Sequence, residues 1–264
     1  MAEKGKIQTS FMEIGYMTFG KKGAQPFVLL PGLSLKSVLG MAEFVEREYR
    51  IIGENYECFL FEPGMSVPED ITIEAMAECT KEAMDELGIK DFVLMGVSMG
   101  GMIAQELTLR HPEMVSKLIL CSTADHITES SRELINKWIG FAENRDGIGL
   151  CNAFAEHVYT KEYAEKYSAA FEMLGKGMTE AEFERFQTLA GCVKSLGTTN
   201  RLDRISCPVF VIAGREDRIF SAETQKCLAE KTHGEYCLYE HYAHAVYDEA
   251  PDIKEKILNW CMEH

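Results

Sequence analysis

The chain has 264 residues, 46% of them hydrophobic, which suits one large core or two small ones and excludes a disordered polypeptide. Its 27 basic and 42 acidic residues leave a net charge of −15, so nucleic acid and anionic membrane surfaces are repelled at long range. No run of eighteen apolar residues is present, so no membrane partner is expected, and MAEKGKIQTSFMEIGY at the N-terminus lacks the apolar region of a signal peptide.

A cytoplasmic location is the expectation from these features. The nine cysteines are scattered singly, with no CxxC pair, and their odd number points to reduced thiols used as small core residues.

In chain order, FMEIGYMTFG (11–20) alternates weakly and reads as an antiparallel edge hairpin. Strands follow at PFVLLPG (26–32), YECFLFEPG (56–64), DFVLMG (91–96) and VSKLILCS (115–122). Between them Lys36–Arg50, Ile71–Leu87 and Met99–Arg110 repeat apolar residues at helical spacing, with Gly88 and His111-Pro112 as stop signals. Strands alternating with helices imply βαβ units and a parallel sheet.

The alternation stops at residue 125. Residues 125–203 hold only helical patterns, in ESSRELINKWIGFAENR, GLCNAFAEHVY and TEAEFERFQTLAGCVKSL. It resumes with CPVFVIAGRED (207–217), a helix near Ser221–Lys231, GEYCLYE (234–240) and a last helix from about Pro251 to Glu263. The expected organisation is one α/β domain, 1–124 with 204–264, interrupted by a helical insertion at 125–203.

The chemistry centres on Gly96-Val97-Ser98-Met99-Gly100, a G-x-S-x-G between an apolar strand and a helix, the context of a nucleophile elbow. Glycines on both sides let the chain turn sharply, so the hydroxyl stands above the carboxyl edge of the sheet. Met99 then offers a free N–H at a helix N-terminus. A serine needs a base and an orienting carboxylate to become a nucleophile. Both should come from loops after later strands, and two such loops are present: Gly214-Arg215-Glu216-Asp217 and His241-Tyr242-Ala243-His244.

These features together resemble the α/β-hydrolase superfamily, in its serine-nucleophile branch with a helical cap. The likeness covers nearly the whole chain outside 125–203. The family's pattern of strand, G-x-x-D, then histidine followed by an acidic residue and proline is similar to Gly214–Asp217 and to His244, Glu249 and Pro251. The resemblance implies a mostly parallel sheet flanked by helices, with the cap inserted after the sixth strand. It implies Ser98 as nucleophile, His244 as general base and Asp217 as orienting acid, with oxyanion donors at the N–H groups of Leu33 and Met99 and no cofactor.

Three rivals stand beside these residues. His241 lies three before His244, Glu216 neighbours Asp217, and Asp125 follows the strand from which some relatives supply the acid. Two departures are visible: Pro31-Gly32 replaces the His-Gly of many relatives, and FLFEPGMSVPED replaces a loop with aspartate and arginine. Serine at the elbow argues against the dehalogenases and epoxide hydrolases of this fold, which carry aspartate there. No HExxH, cysteine cluster, P-loop or strand-borne GxGxxG points to a metal or a nucleotide.

The expected function is a cofactor-independent serine hydrolase of a small ester or related acyl compound. C–C bond hydrolysis, thioester or lactone hydrolysis and cofactor-free haloperoxidation use the same triad, and a non-catalytic receptor on this scaffold is the alternative outside enzymes. About a quarter of Phe141, Phe154, Tyr159, Phe171, Met173, Met178, Phe183 and Phe186 are expected to face substrate, the rest packing the insertion. An exposed apolar surface on the insertion would suit a homodimer.

Overall fold

The computed structural model describes residues 2–264. Its strands are β1 (Glu3–Gln8), β2 (Glu13–Gly20), β3 (Pro26–Leu30), β4 (Glu57–Pro63), β5 (Phe92–Val97), β6 (Val115–Cys121), β7 (Val209–Gly214) and β8 (Glu235–Tyr239). They form one sheet in the order β1-β2-β4-β3-β5-β6-β7-β8. β2 runs antiparallel to both β1 and β4, and every pairing from β4 to β8 is parallel.

Each central strand buries both faces, as a parallel sheet requires. Val28, Leu30, Leu94, Leu118 and Leu120 enter one core, while Phe27, Leu29, Val93, Met95 and Ile119 enter the other. Helices cover both sides. α3 (Ile73–Glu86), α4 (Met99–Arg110) and α10 (Ala222–Lys231) pack on the first core; α1 (Ala42–Glu48), α2 (Arg50–Gly53) and α12 (Ile253–Glu263) pack on the second.

Five helices lie between β6 and β7: α5 (Glu129–Glu143), α6 (Gly147–Val158), α7 (Lys161–Lys166), α8 (Ser168–Lys176) and α9 (Glu180–Cys192). A short α11 (Val246–Glu249) precedes α12. The side chains of Trp138, Leu150 and Phe186 join the five-helix segment to the first core. Among the described residues no helix is long and apolar enough to cross a membrane.

The expected helix over Lys36–Arg50 is broken into a 3-10 turn, Val38–Met41, then α1 and α2. Glu62 at the end of β4 anchors the first of these pieces. Its carboxylate accepts the Val38 N–H at 2.9 Å and the Leu39 N–H at 3.3 Å, which holds the turn against the strand end.

All nine cysteines are free, and six are buried. Burial pushes the Cys58 and Cys192 thiols up to about 12, which keeps them protonated and unreactive.

Candidate active site

β3 lies between β4 and β5, so the connection after β3 runs to one side of it and the connection after β4 crosses to the other, the reversal of strand order beside which open α/β sheets form a crevice for ligands. The turn after β5 lies beside that crevice. Ser98 sits on it with φ 51° and ψ −117°, a conformation that costs a non-glycine residue energy. The surroundings hold it there. Its N–H donates to the Cys121 carbonyl at 2.9 Å, and its carbonyl accepts from the Gly101 N–H at 2.9 Å and Thr123 Oγ1 at 2.7 Å.

The flanking glycines have a steric reason. A Cβ on Gly100 would stand 2.0 Å from the Leu30 carbonyl oxygen, and one on Gly96 would stand 2.4 Å from that of Gly100. The sharp turn brings β3, β5 and α4 too close for any side chain.

Asp217 and His244 come from the loops after β7 and β8, and the structure brings them together. The His244 Nδ1–H donates to Asp217 Oδ2 at 2.8 Å, with both side chains buried. Carboxylates only accept when ionised, so this bond puts the ring proton on Nδ1 and leaves Nε2 as acceptor.

Asp217 is fixed by three further donors. Its Oδ1 accepts the Ile219 and Phe220 N–H groups at 2.8 and 2.9 Å, and its Oδ2 accepts Gln225 Nε2 at 2.9 Å. Gln225 Nε2 also donates to the Phe220 carbonyl at 2.8 Å, and two acceptors at one end settle the orientation of the amide. Sequence reasoning missed Gln225. The only signal was a buried-side polar residue in the first turns of the helix that follows the acid.

Ser98, His244, Leu33 and Met99 all border one narrow cavity of about 30 Å³, room for roughly two water molecules. Gly32, Met102, Ile219, Phe220 and Tyr247 also line it. Ile135, Trp138, Phe154, Val158 and Val193, all from the segment between β6 and β7, close it from above. No hydrogen bond joins the Ser98 hydroxyl to His244 in this conformation, and such bonds often tighten only when substrate is bound. The N–H groups of Leu33 and Met99 make no hydrogen bond to other described residues, as expected for Met99 at the first position of α4.

The rivals are placed elsewhere. His241 and Glu216 are exposed. Asp125 is buried, but Lys231 Nζ at 2.5 Å and His126 Nδ1 at 2.7 Å occupy its carboxylate. Burial pushes the Asp125 carboxyl up, yet those two hydrogen bonds outweigh it and hold the group below the ordinary aspartate range. Of the eight aromatic and methionine side chains expected to supply the pocket, Phe154 lines it, while Met173 is 73% exposed and Phe186 is buried in the core. Among the described residues no group of three or more His, Cys, Asp or Glu side chains is arranged to hold a metal ion.

Comparison with known proteins agrees with this architecture. Residues 25–251 match the family model described as the alpha/beta hydrolase fold, and the chain belongs to that family of hydrolases. An Agrobacterium fabrum protein named RutD, a candidate carbamate hydrolase, is 25% identical over 194 residues, 72% of this chain and 74% of its own. A Klebsiella pneumoniae 2-hydroxy-6-oxononadienedioate/2-hydroxy-6-oxononatrienedioate hydrolase is 28% identical over 262 residues, 90% of this chain and 87% of its own. In fold, the chain is similar to the enol-lactonase from Burkholderia xenovorans, with a TM-score of 0.83, 17% identity, and coverage of 98% of this chain and 100% of that one.

Proposed function

We propose that the protein is a cofactor-independent serine hydrolase of a small ester or closely related acyl compound. The reading rests above all on the buried His244–Asp217 hydrogen bond bordering the same cavity as Ser98 on its strained turn. A histidine fixed in one tautomer beside a serine held out from the backbone is the arrangement that acyl transfer needs.

The steps follow from the atoms. Ser98 Oγ attacks the carbonyl carbon while His244 Nε2 takes the hydroxyl proton. Asp217 holds the ring and stabilises the imidazolium. The carbonyl oxygen, now negative, accepts the Leu33 and Met99 N–H groups, each worth about 3 kcal/mol in comparable sites. Nε2 then protonates the leaving oxygen as the tetrahedral centre collapses to an acyl-enzyme. Water, losing its proton to Nε2, attacks that ester, and Ser98 leaves with the proton returned.

In this reading α5–α9 serve as a cap over the site. The cavity beneath is narrow, so roof side chains turn aside to admit substrate. The relatives' names span carbamate, carbon–carbon bond and lactone chemistry. All three open on attack at a carbonyl, so ester, thioester, lactone and diketone substrates belong in one panel. Ser98→Ala should lower kcat on the best substrate by several orders of magnitude, toward the ~10⁶ known for loss of a serine nucleophile. A variant keeping more than a tenth of wild-type turnover would refute the assignment.

A further inference from the structure

Apart from Ser98 and His244, the cavity wall carries polar side-chain atoms only on Trp138 and Tyr247, and it contains no lysine or arginine. Burial and the nearby Asp248 carboxylate push the Tyr247 phenol well above its ordinary value, so it stays neutral. The remaining lining is leucine, isoleucine, valine, methionine, phenylalanine and glycine.

Trp138 is the exception within this apolar wall. It is 2% exposed, its ring packs against Phe154 with centroids 5.0 Å apart, and its Nε1–H has no hydrogen-bond partner. Among the described residues four buried side-chain atoms lack a partner, and of their residues Trp138 is the one that borders the cavity, its Nε1 lying just behind the wall. A buried donor left unpaired is costly and rare. That cost is relieved by an acceptor on a ligand that reaches the N–H as the neighbouring side chains turn aside to admit it.

We infer that the site takes an uncharged acyl substrate, apolar over most of its length and carrying one hydrogen-bond acceptor for the Trp138 N–H. The inference rests on the hydrolase reading above. A substrate carboxylate would be desolvated against a wall that offers no fixed cation, which disfavours it strongly. Dicarboxylates such as the compound in the Klebsiella relative's name are therefore poor substrates here.

The test uses p-nitrophenyl esters of matched shape: 4-methylpentanoate, 4-oxopentanoate and hemisuccinate, with the homologues that move the branch one carbon nearer or farther. At one of these positions wild type should favour the ketone over its methyl isostere by about tenfold in kcat/KM. The carboxylate should fall below the methyl isostere by about a hundredfold at every position. In Trp138→Phe the ketone-to-methyl ratio should fall to about 1, whatever the absolute rate.

A hemisuccinate hydrolysed as fast as its isostere would overturn the inference. So would the absence of any ketone preference in wild type, or its survival in Trp138→Phe. The wild-type comparisons stand even if that variant misfolds. Fluorophosphonate labelling of the same wild-type preparation separates the two levels: a labelled Ser98 with the wrong substrate order sinks the substrate class alone, and an unlabelled Ser98 sinks the hydrolase reading with it.

Discussion

Arg185 on α9 ties the five-helix segment to the sheet, and Arg185→Met should release it. Arg185 is 4% exposed, and its guanidinium donates to the carbonyls of Pro63 at 3.1 Å and Gly64 at 3.2 Å and pairs with Glu62 at 3.5 Å. Burial lowers the Arg185 pKa, with Glu62 opposing, so the pair is held under a desolvation penalty. Removing one partner of a buried pair typically costs 3–5 kcal/mol, because the other charge is left uncompensated. Glu62 keeps the Val38 and Leu39 N–H groups and the Ser37 hydroxyl, so the lower end, about 3 kcal/mol, is expected. For a chain of this size that lowers Tm by roughly 6–12 °C. Calorimetry on wild type, Arg185→Met, Glu62→Gln and the double variant measures it. The double variant should be more stable than the sum of the single losses predicts, by about 1 kcal/mol or more. A single-variant Tm within about 2 °C of wild type, or strict additivity, would refute the latch.

Two glycines give opposite outcomes for the same substitution. Gly100→Ala drives a Cβ into the Leu30 carbonyl and should cost about 4 kcal/mol or prevent soluble expression. Gly140→Ala on α5 meets nothing within 4 Å and should add about 0.5–1 kcal/mol; urea unfolding of both decides whether space or helix propensity governs each site. The Asp125 carboxyl is depressed in the folded state, so its contribution is present above the ordinary aspartate value of 3.8 and is lost as pH falls through its lower folded value. Asp125→Asn should therefore destabilise the protein at pH 6 and flatten the loss of stability as pH falls below the ordinary aspartate value of 3.8. Parallel stability curves for variant and wild type would contradict this.

Much of the fold was legible because the central strands are apolar on both faces. The runs at 26–32, 91–96 and 115–122 correspond to β3, β5 and β6 within two residues at each end. β1 was not foreseen. Its residues Glu3–Gln8 pair only with β2, carry two lysines and bury no side chain fully, so the core left no mark on its pattern. α7 and α8 escaped for the same reason: the first buries no residue and the second only Gly175.

At the candidate site, the strained turn at Ser98 was legible because it demands glycines at fixed offsets. The loops that carry His244 and Asp217 were legible from chain order and resemblance, and the structure joins those two side chains by a hydrogen bond. Gln225, Arg185 and the cavity roof were not legible. Their roles depend on which helix faces fold over the strand ends, and Ile135, Trp138, Val158 and Val193 look in sequence like any other apolar residues of a helical stretch.

The central claim is that Ser98 is an activated nucleophile served by His244. Intact-mass and peptide mapping after treatment with a fluorophosphonate probe tests it without a substrate. Wild type should gain one adduct, on the peptide carrying Ser98, and both Ser98→Ala and His244→Ala should remain unlabelled. A folded wild type that takes no label, or one labelled at another residue and still labelled in Ser98→Ala, would contradict the account.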